Sequence, residues 1–102
     1  MRENKCPVEK IVKLFGQKWM MLILKYLGEK KTLRFNEFIK LLPQISPRTL
    51  SKRLLELEEE DFINKKKFKE IPPKVEYTLT KKGKEFSKYF GEFNKLILKY
   101  EK

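Results

Sequence analysis

Between Ser46 and Leu79 the hydrophobic period changes from that of a helix to that of a strand, and this switch most constrains the fold. Leu50, Leu54 and Leu57 recur at i, i+4 and i+7, a single apolar stripe that a helix brings to one side. Ser46 can cap that helix, and Pro47 fits its first position, where the missing N–H costs nothing. The helix is expected to run from Pro47 to about Glu60. Past it the pattern alternates: Val75, Tyr77 and Leu79 against Glu76 and Thr78, a half-buried strand. Ile63 to Lys69 is its partner strand, and Pro72-Pro73 stiffens the tip between them.

The flanking segments complete the order. Val8 to Phe15 reads as a first short helix ended by Gly16, and Trp19 to Leu27 as a second, central helix closed by Gly28. Trp19 and the run Met20 to Leu24 are read as core. Thr32 to Arg34 fits a short strand and Phe35 to Leu42 a third helix. Leu42-Pro43-Gln44-Ile45 then turns, because the residue before proline avoids the helical region. Thr80 can cap a long last helix striped by Phe86, Tyr89/Phe90, Phe93, Leu96/Ile97 and Tyr100. Three helices, a hairpin and a flanking helix define an α+β, mainly α class: a winged helix-turn-helix with a β-hairpin wing and a long C-terminal dimerisation helix. No repeat or Gly/Ser-rich linker divides residues 1–102, so one domain is expected.

Charge indicates the partner. The 102 residues carry 25 Lys+Arg against 14 Asp+Glu, a formal +11, which attracts polyanions, nucleic acid before an anionic membrane surface. No segment approaches the roughly 18–20 apolar residues of a membrane span, and Met1 to Lys5 lacks the apolar core of a signal peptide. A single cysteine, Cys6, cannot form an intrachain disulfide, so a reducing cytoplasmic setting is expected. No histidine is present to act as a base, and neither a glycine-rich phosphate loop nor a metal-ligand cluster appears. The chain is therefore expected to be no enzyme, to hold no cofactor and no metal, and to bind double-stranded DNA.

Position sharpens that expectation. Opposite the leucine stripe lie Arg48, Ser51 and Lys52, with Thr49 on the flank, at the end of the helix where the dipole is positive. Ser46, Pro47, Arg48, Thr49, Ser51, Lys52 and Arg53 are the candidate recognition-helix residues. Lys65, Lys66, Lys67 and Lys69, with Lys74 past the prolines, are the candidate wing contacts to the backbone or minor groove. Glu56, Glu58, Glu59 and Glu60 would repel phosphate and confine DNA to the first two turns. The aromatic stripe of the last helix exceeds what one small domain must cover. Val8, Ile11, Phe86, Phe90, Phe93, Ile97 and Tyr100 are therefore assigned to a homodimer interface, with folding back over the chain's own core as the alternative. Cys6, beside Pro7 and near Arg2, Lys5 and Lys10, is either inert or a redox sensor. A sequence-independent, chromatin-like basic protein is the alternative function.

The chain resembles the HxlR family of winged-helix transcriptional regulators. The matching pieces run in one order: Cys6-Pro7-Val8-Glu9, Gly16-Gln17-Lys18-Trp19, Ile23-Leu24 and Arg34-Phe35-Asn36-Glu37. They continue through Leu42 to Ser51, Arg53-Leu54, Leu57-Glu58, Pro72 to Thr80 and Lys82-Gly83. The resemblance implies a homodimer joined through its terminal helices that binds an inverted-repeat operator as repressor or activator. In some members a cysteine at the position of Cys6 senses oxidants or electrophiles; the resemblance names no small-molecule effector. Two positions depart from the pattern. Asp61 stands where the family typically has glycine, and Leu55 where a polar or basic residue is common.

Overall fold

The computed structural model describes residues 7–101. Helices α1 (Pro7–Phe15) and α2 (Met20–Lys30) lead into a two-residue strand β1 (Thr32–Leu33). Helix α3 (Phe35–Leu41) and helix α4 (Pro47–Glu59) follow, then strands β2 (Ile63–Phe68) and β3 (Lys74–Leu79), and a last helix α5 (Lys81–Lys99). The antiparallel sheet has the order β1-β3-β2, with Thr32 opposite Thr78 and Ile63 opposite Leu79. This is the winged helix-turn-helix expected from the sequence, with boundaries shifted by a residue or two and by three at the end of α2.

Leucines 50, 54 and 57 of α4 are buried, as their spacing requires, against Phe38 of α3 and Met20, Ile23, Leu24 and Leu27 of α2. Tyr77 and Leu79 close the core from the sheet. Trp19 is not part of the α2 stripe. It precedes the helix at φ 81° and is only partly buried, and Leu22 faces outward. Gly28 does not end α2. It sits inside the helix where a side chain would overlap the Ser87 hydroxyl of α5, so its lack of a Cβ serves close packing. The helix stops instead at Lys31, which takes φ 72° while its N–H donates to the Leu27 carbonyl (2.8 Å).

The end of α4 is the most constrained junction. The Phe62 N–H donates to the Leu57 carbonyl (2.8 Å) and the Asp61 N–H to the Glu58 carbonyl (3.0 Å), with Asp61 at φ 65°. This is a Schellman closure in which aspartate does the work usual for glycine, with Phe62 and Leu57 both fully buried. Phe62 then accepts at its carbonyl from the Thr80 N–H (3.1 Å) and packs its ring edge-on against Phe15 (5.0 Å) and Phe86 (4.9 Å). Thr80 caps α5 by accepting from the Gly83 N–H (3.0 Å), as anticipated. A Cβ at Gly83 would overlap the Phe62 carbonyl oxygen, which fixes how closely α5 meets the end of α4.

Two substitutions test this junction in urea unfolding. Asp61→Gly removes the left-handed penalty and is expected to stabilise by up to about 1 kcal/mol. Gly83→Ala must push α5 off Phe62 and is expected to destabilise by about 1–3 kcal/mol. Unchanged stability in Gly83→Ala would show that the contact is loose.

Candidate nucleic-acid interface

Ser46 opens α4 as the sequence suggests. Its Oγ accepts from the Thr49 N–H (3.0 Å) and donates to the Thr49 Oγ1 (2.9 Å), with Pro47 in the first turn. The cap fixes the start of the helix and uses the Ser46 hydroxyl as both donor and acceptor, while the Thr49 hydroxyl keeps its own proton to donate. Arg48, Ser51 and Lys52 are exposed, and Leu55 (54% exposed) continues the same outward stripe one turn further on. The stripe thus carries two cations, a hydroxyl and an apolar side chain before Glu59 ends it.

Arg53 belongs elsewhere. Its guanidinium is turned into the protein, with only 15% of the side chain exposed. Its Nε donates to the Lys18 carbonyl (3.1 Å) and its Nη1 to Gln17 Oε1 (3.0 Å) and Glu56 Oε1 (2.8 Å). Gln17 is held in turn through its amide nitrogen, which donates to the Leu14 carbonyl (3.3 Å). Arg53 therefore ties the recognition helix to the α1–α2 turn, and its assignment to DNA contact is corrected to a positioning role. Periodicity could have suggested this, since Arg53 lies beside the buried stripe and Glu56 is three residues on, but its other two partners are 35 and 36 residues away.

The acidic end of α4 is likewise employed internally. Glu56 holds Arg53, Glu60 pairs with Lys10 of α1 (3.3 Å), and Lys82 Nζ donates to the Glu60 carbonyl (2.9 Å). These cations offset the unfavourable placing of carboxylates at a helix C-terminus. Burial pushes the Tyr77 phenol above its usual range, and the charge of Glu58 adds to the shift.

The wing lysines divide by strand register. Lys65 and Lys67 lie opposite Tyr77 and Val75, on the face toward the core, whereas Lys66 lies opposite Glu76 on the outer face. Lys65, Lys66 and Lys67 are exposed, as is Lys69, which falls just past the end of β2. Lys74 differs, being partly buried and paired with Glu76 (3.1 Å). Phe68, which the sequence reading passed over, organises this outer face, with Lys66 and Lys74 ammonium groups 5.1 and 5.0 Å from its ring centre. Because Lys74 occupies Glu76, Lys66 keeps its charge available although a carboxylate lies directly across the ladder.

The stripe assigned to a dimer interface splits in two. Phe86 and Phe90 pack on the chain's own core, with Phe90 5.0 Å edge-on to Phe15, and Ile11 joins them there. The alternative of folding back thus holds for the first half of α5. Val8 (62% exposed), Phe93, Ile97 and Tyr100 remain exposed, with Val12, Tyr89 and Leu96 beside them in the sequence pattern. Cys6 lies outside the described residues. Among the described residues, no helix is long and apolar enough to cross a membrane, and no group of side chains is arranged to hold a metal ion.

The elements and their order define a winged helix-turn-helix protein. Residues 14–102 match the model of the HxlR-like helix-turn-helix family, and the chain belongs to that family. It is 46% identical over 79 residues to YdeP of Bacillus subtilis, described as an uncharacterized HTH-type transcriptional regulator, covering 78% of this chain and 61% of YdeP. An HTH-type regulator of Methanothermobacter thermautotrophicus is 45% identical, covering 80% of this chain and 62% of the relative. The chain thus spans about three fifths of the length of these two relatives. Among solved structures, the reduced form of the transcriptional regulator YodB from B. subtilis superposes with a TM-score of 0.79 at 32% identity, covering 95% of each chain. The redox regulator HypR in its oxidised form gives 0.84 at 31% identity, over 95% of this chain and 99% of HypR.

Reassigning Arg53 has a direct consequence. Arg53→Ala is expected to lower stability by about 1–3 kcal/mol, by leaving the Glu56 carboxylate and the Lys18 carbonyl without their donor. Arg53→Lys should not restore it, since one ammonium cannot span three acceptors set at a guanidinium's fork. Wild-type thermal and urea stability in Arg53→Lys would return the residue to the candidate DNA contacts.

Proposed function

We propose that this chain is a dimeric, sequence-specific regulator of transcription that binds an inverted-repeat operator in the cytoplasm as one winged helix-turn-helix domain, without catalysis. The observation that carries the reading is the exposed start of α4, where Arg48, Ser51 and Lys52 stand over a rigid cap, beside a wing whose lysines are also exposed. Arg48, Thr49, Ser51 and Lys52 read the major groove, while Lys65, Lys66, Lys67 and Lys69 hold the flanking backbone. Lys74 acts through Phe68 and Glu76 by shaping the wing. Leu55, exposed at the end of the reading stripe, contacts a thymine methyl. The dimer forms through the exposed faces of the terminal helices, chiefly Val8, Phe93, Ile97 and Tyr100.

The first test is selection from a random duplex pool with the reduced protein. An enriched inverted repeat, with half-sites roughly 10 base pairs or a multiple apart, is expected; binding without enrichment would favour the sequence-independent alternative. Arg48→Ala should weaken operator binding by about 1–3 kcal/mol and relax one position per half-site. Lys66→Ala should weaken all duplexes alike and lower the salt slope by about 1. Replacing operator thymines by uracil should cost affinity at one position for the wild type and nothing for Leu55→Ala. Sedimentation of Phe93→Glu should show a monomer with weakened operator binding.

Cys6 is proposed as an oxidant sensor. HypR, of similar fold, is described as a redox regulator and has been solved in oxidised and reduced forms. Operator affinity should fall after diamide treatment of the wild type but not of Cys6→Ser. Equal response of the two proteins would remove Cys6 from the mechanism.

A further inference from the structure

On the β1 side of the sheet, away from the wing strand β2, a cleft of about 440 Å³ opens between the end of α2, strand β3 and the first half of α5. Three exposed lysines line it: Lys31 from the end of α2, and Lys84 and Lys88, one turn apart on α5. Among the described residues no carboxylate lines it. Among the described residues none of the three lysines forms an ion pair, whereas Lys10, Lys25, Lys74 and Lys95 each pair with a glutamate. Three like charges converging without a counter-charge repel one another, and a bound anion removes that repulsion.

The walls suit more than an inorganic ion. Leu27 and Leu79 supply apolar lining beside Thr78 and Ser87, whose hydroxyl donates to the Leu24 carbonyl (3.5 Å), the mixture of apolar lining and few polar groups typical of small-molecule sites. The volume falls within the roughly 300–1,000 Å³ range of such sites. The frame is rigid, because Gly28 lets α2 and α5 touch at Ser87. Lys31 is held at φ 72°, a backbone conformation that side chains other than glycine seldom adopt, and this directs the chain from α2 into β1 beside the cleft.

We propose that this cleft is an effector site for a small organic anion, a carboxylate or phosphate monoester carrying an apolar body. The anionic head sits among Lys31, Lys84 and Lys88, and the apolar part lies on Leu79. Its regulatory consequence rests on the proposed DNA-binding function, since the ligand bridges β3, which forms the wing, and α5, whose distal half is exposed for a partner copy. Occupancy gathers the Lys31, Lys84 and Lys88 side chains onto one anion and so fixes the wing strand against the dimer helix.

Phenyl phosphate is the probe, with inorganic phosphate to test the head alone and benzyl alcohol the body alone. Isothermal titration at constant ionic strength should give saturable binding of phenyl phosphate to the wild type, at least tenfold tighter than inorganic phosphate. The Lys84→Ala/Lys88→Ala double variant should bind at least tenfold more weakly. Lys95→Ala/Lys99→Ala, which removes the same charge further along α5, should bind as the wild type does. Absence of saturation, or equal loss in both double variants, would overturn the site. A fall in duplex affinity in Lys84→Ala/Lys88→Ala with no response to phenyl phosphate would also overturn it, making the lysines contacts to DNA phosphate. Saturable binding by a protein that enriches no operator would leave the site standing and refute the regulatory reading alone.

Discussion

The structure depends on the burial of Phe62. This one residue ends the recognition helix, begins the wing, receives the cap of the last helix through its carbonyl, and fills the space between Phe15 and Phe86. Lys82 covers the ring from the solvent side, 4.3 Å from its centre. Burying a phenylalanine fully is worth about 1.5–3 kcal/mol, and each edge-on aromatic pair adds about 0.5–1.5 kcal/mol. A left-handed aspartate costs about 1 kcal/mol at most, since Asp tolerates this conformation better than most residues. The balance explains why Asp61 can stand where glycine is usual without altering the fold: the apolar contact, and not the turn residue, decides the geometry.

That junction makes the recognition helix and the wing one body. The angle of α4 to β2 is set by the Schellman closure at Phe62, and the roll of α4 is set at its other side by Arg53 gripping the α1–α2 turn. Toward the end of α4, Glu56 holds Arg53 and Glu60 pairs with Lys10, so these two carboxylates fasten the helix while its cationic start stays exposed. A charge of +11 would attract DNA in any orientation. Fixed geometry is what converts attraction into a preference for a sequence.

Much of this could be read from residues alone, and the failures have physical causes. The leucine stripe of α4, the alternation of β3, and the caps at Ser46 and Thr80 are local signals, and each appears in the structure where the spacing places it. Gly28 is ambiguous in the sequence because glycine ends helices and also lets helices touch, and only the position of Ser87 on α5 distinguishes the two. Arg53 looked like a DNA contact because it stands among Arg48, Ser51 and Lys52; its acceptors at Gln17 and Lys18 are invisible to local pattern. Phe86 and Phe90 share a stripe with Phe93 and Ile97, yet Phe15 claims the first pair. Periodicity identifies an apolar face without saying what covers it.

The central claim is that α4 and the wing engage DNA as one rigid unit with a fixed offset between groove reading and backbone contact. Hydroxyl-radical footprinting on the enriched duplex tests it most directly. The account predicts, in every half-site, a protected segment under α4 and a second protected backbone segment at constant separation on the same face of the duplex. Protection spread evenly along the duplex, or a second segment whose separation varies between half-sites, would contradict it.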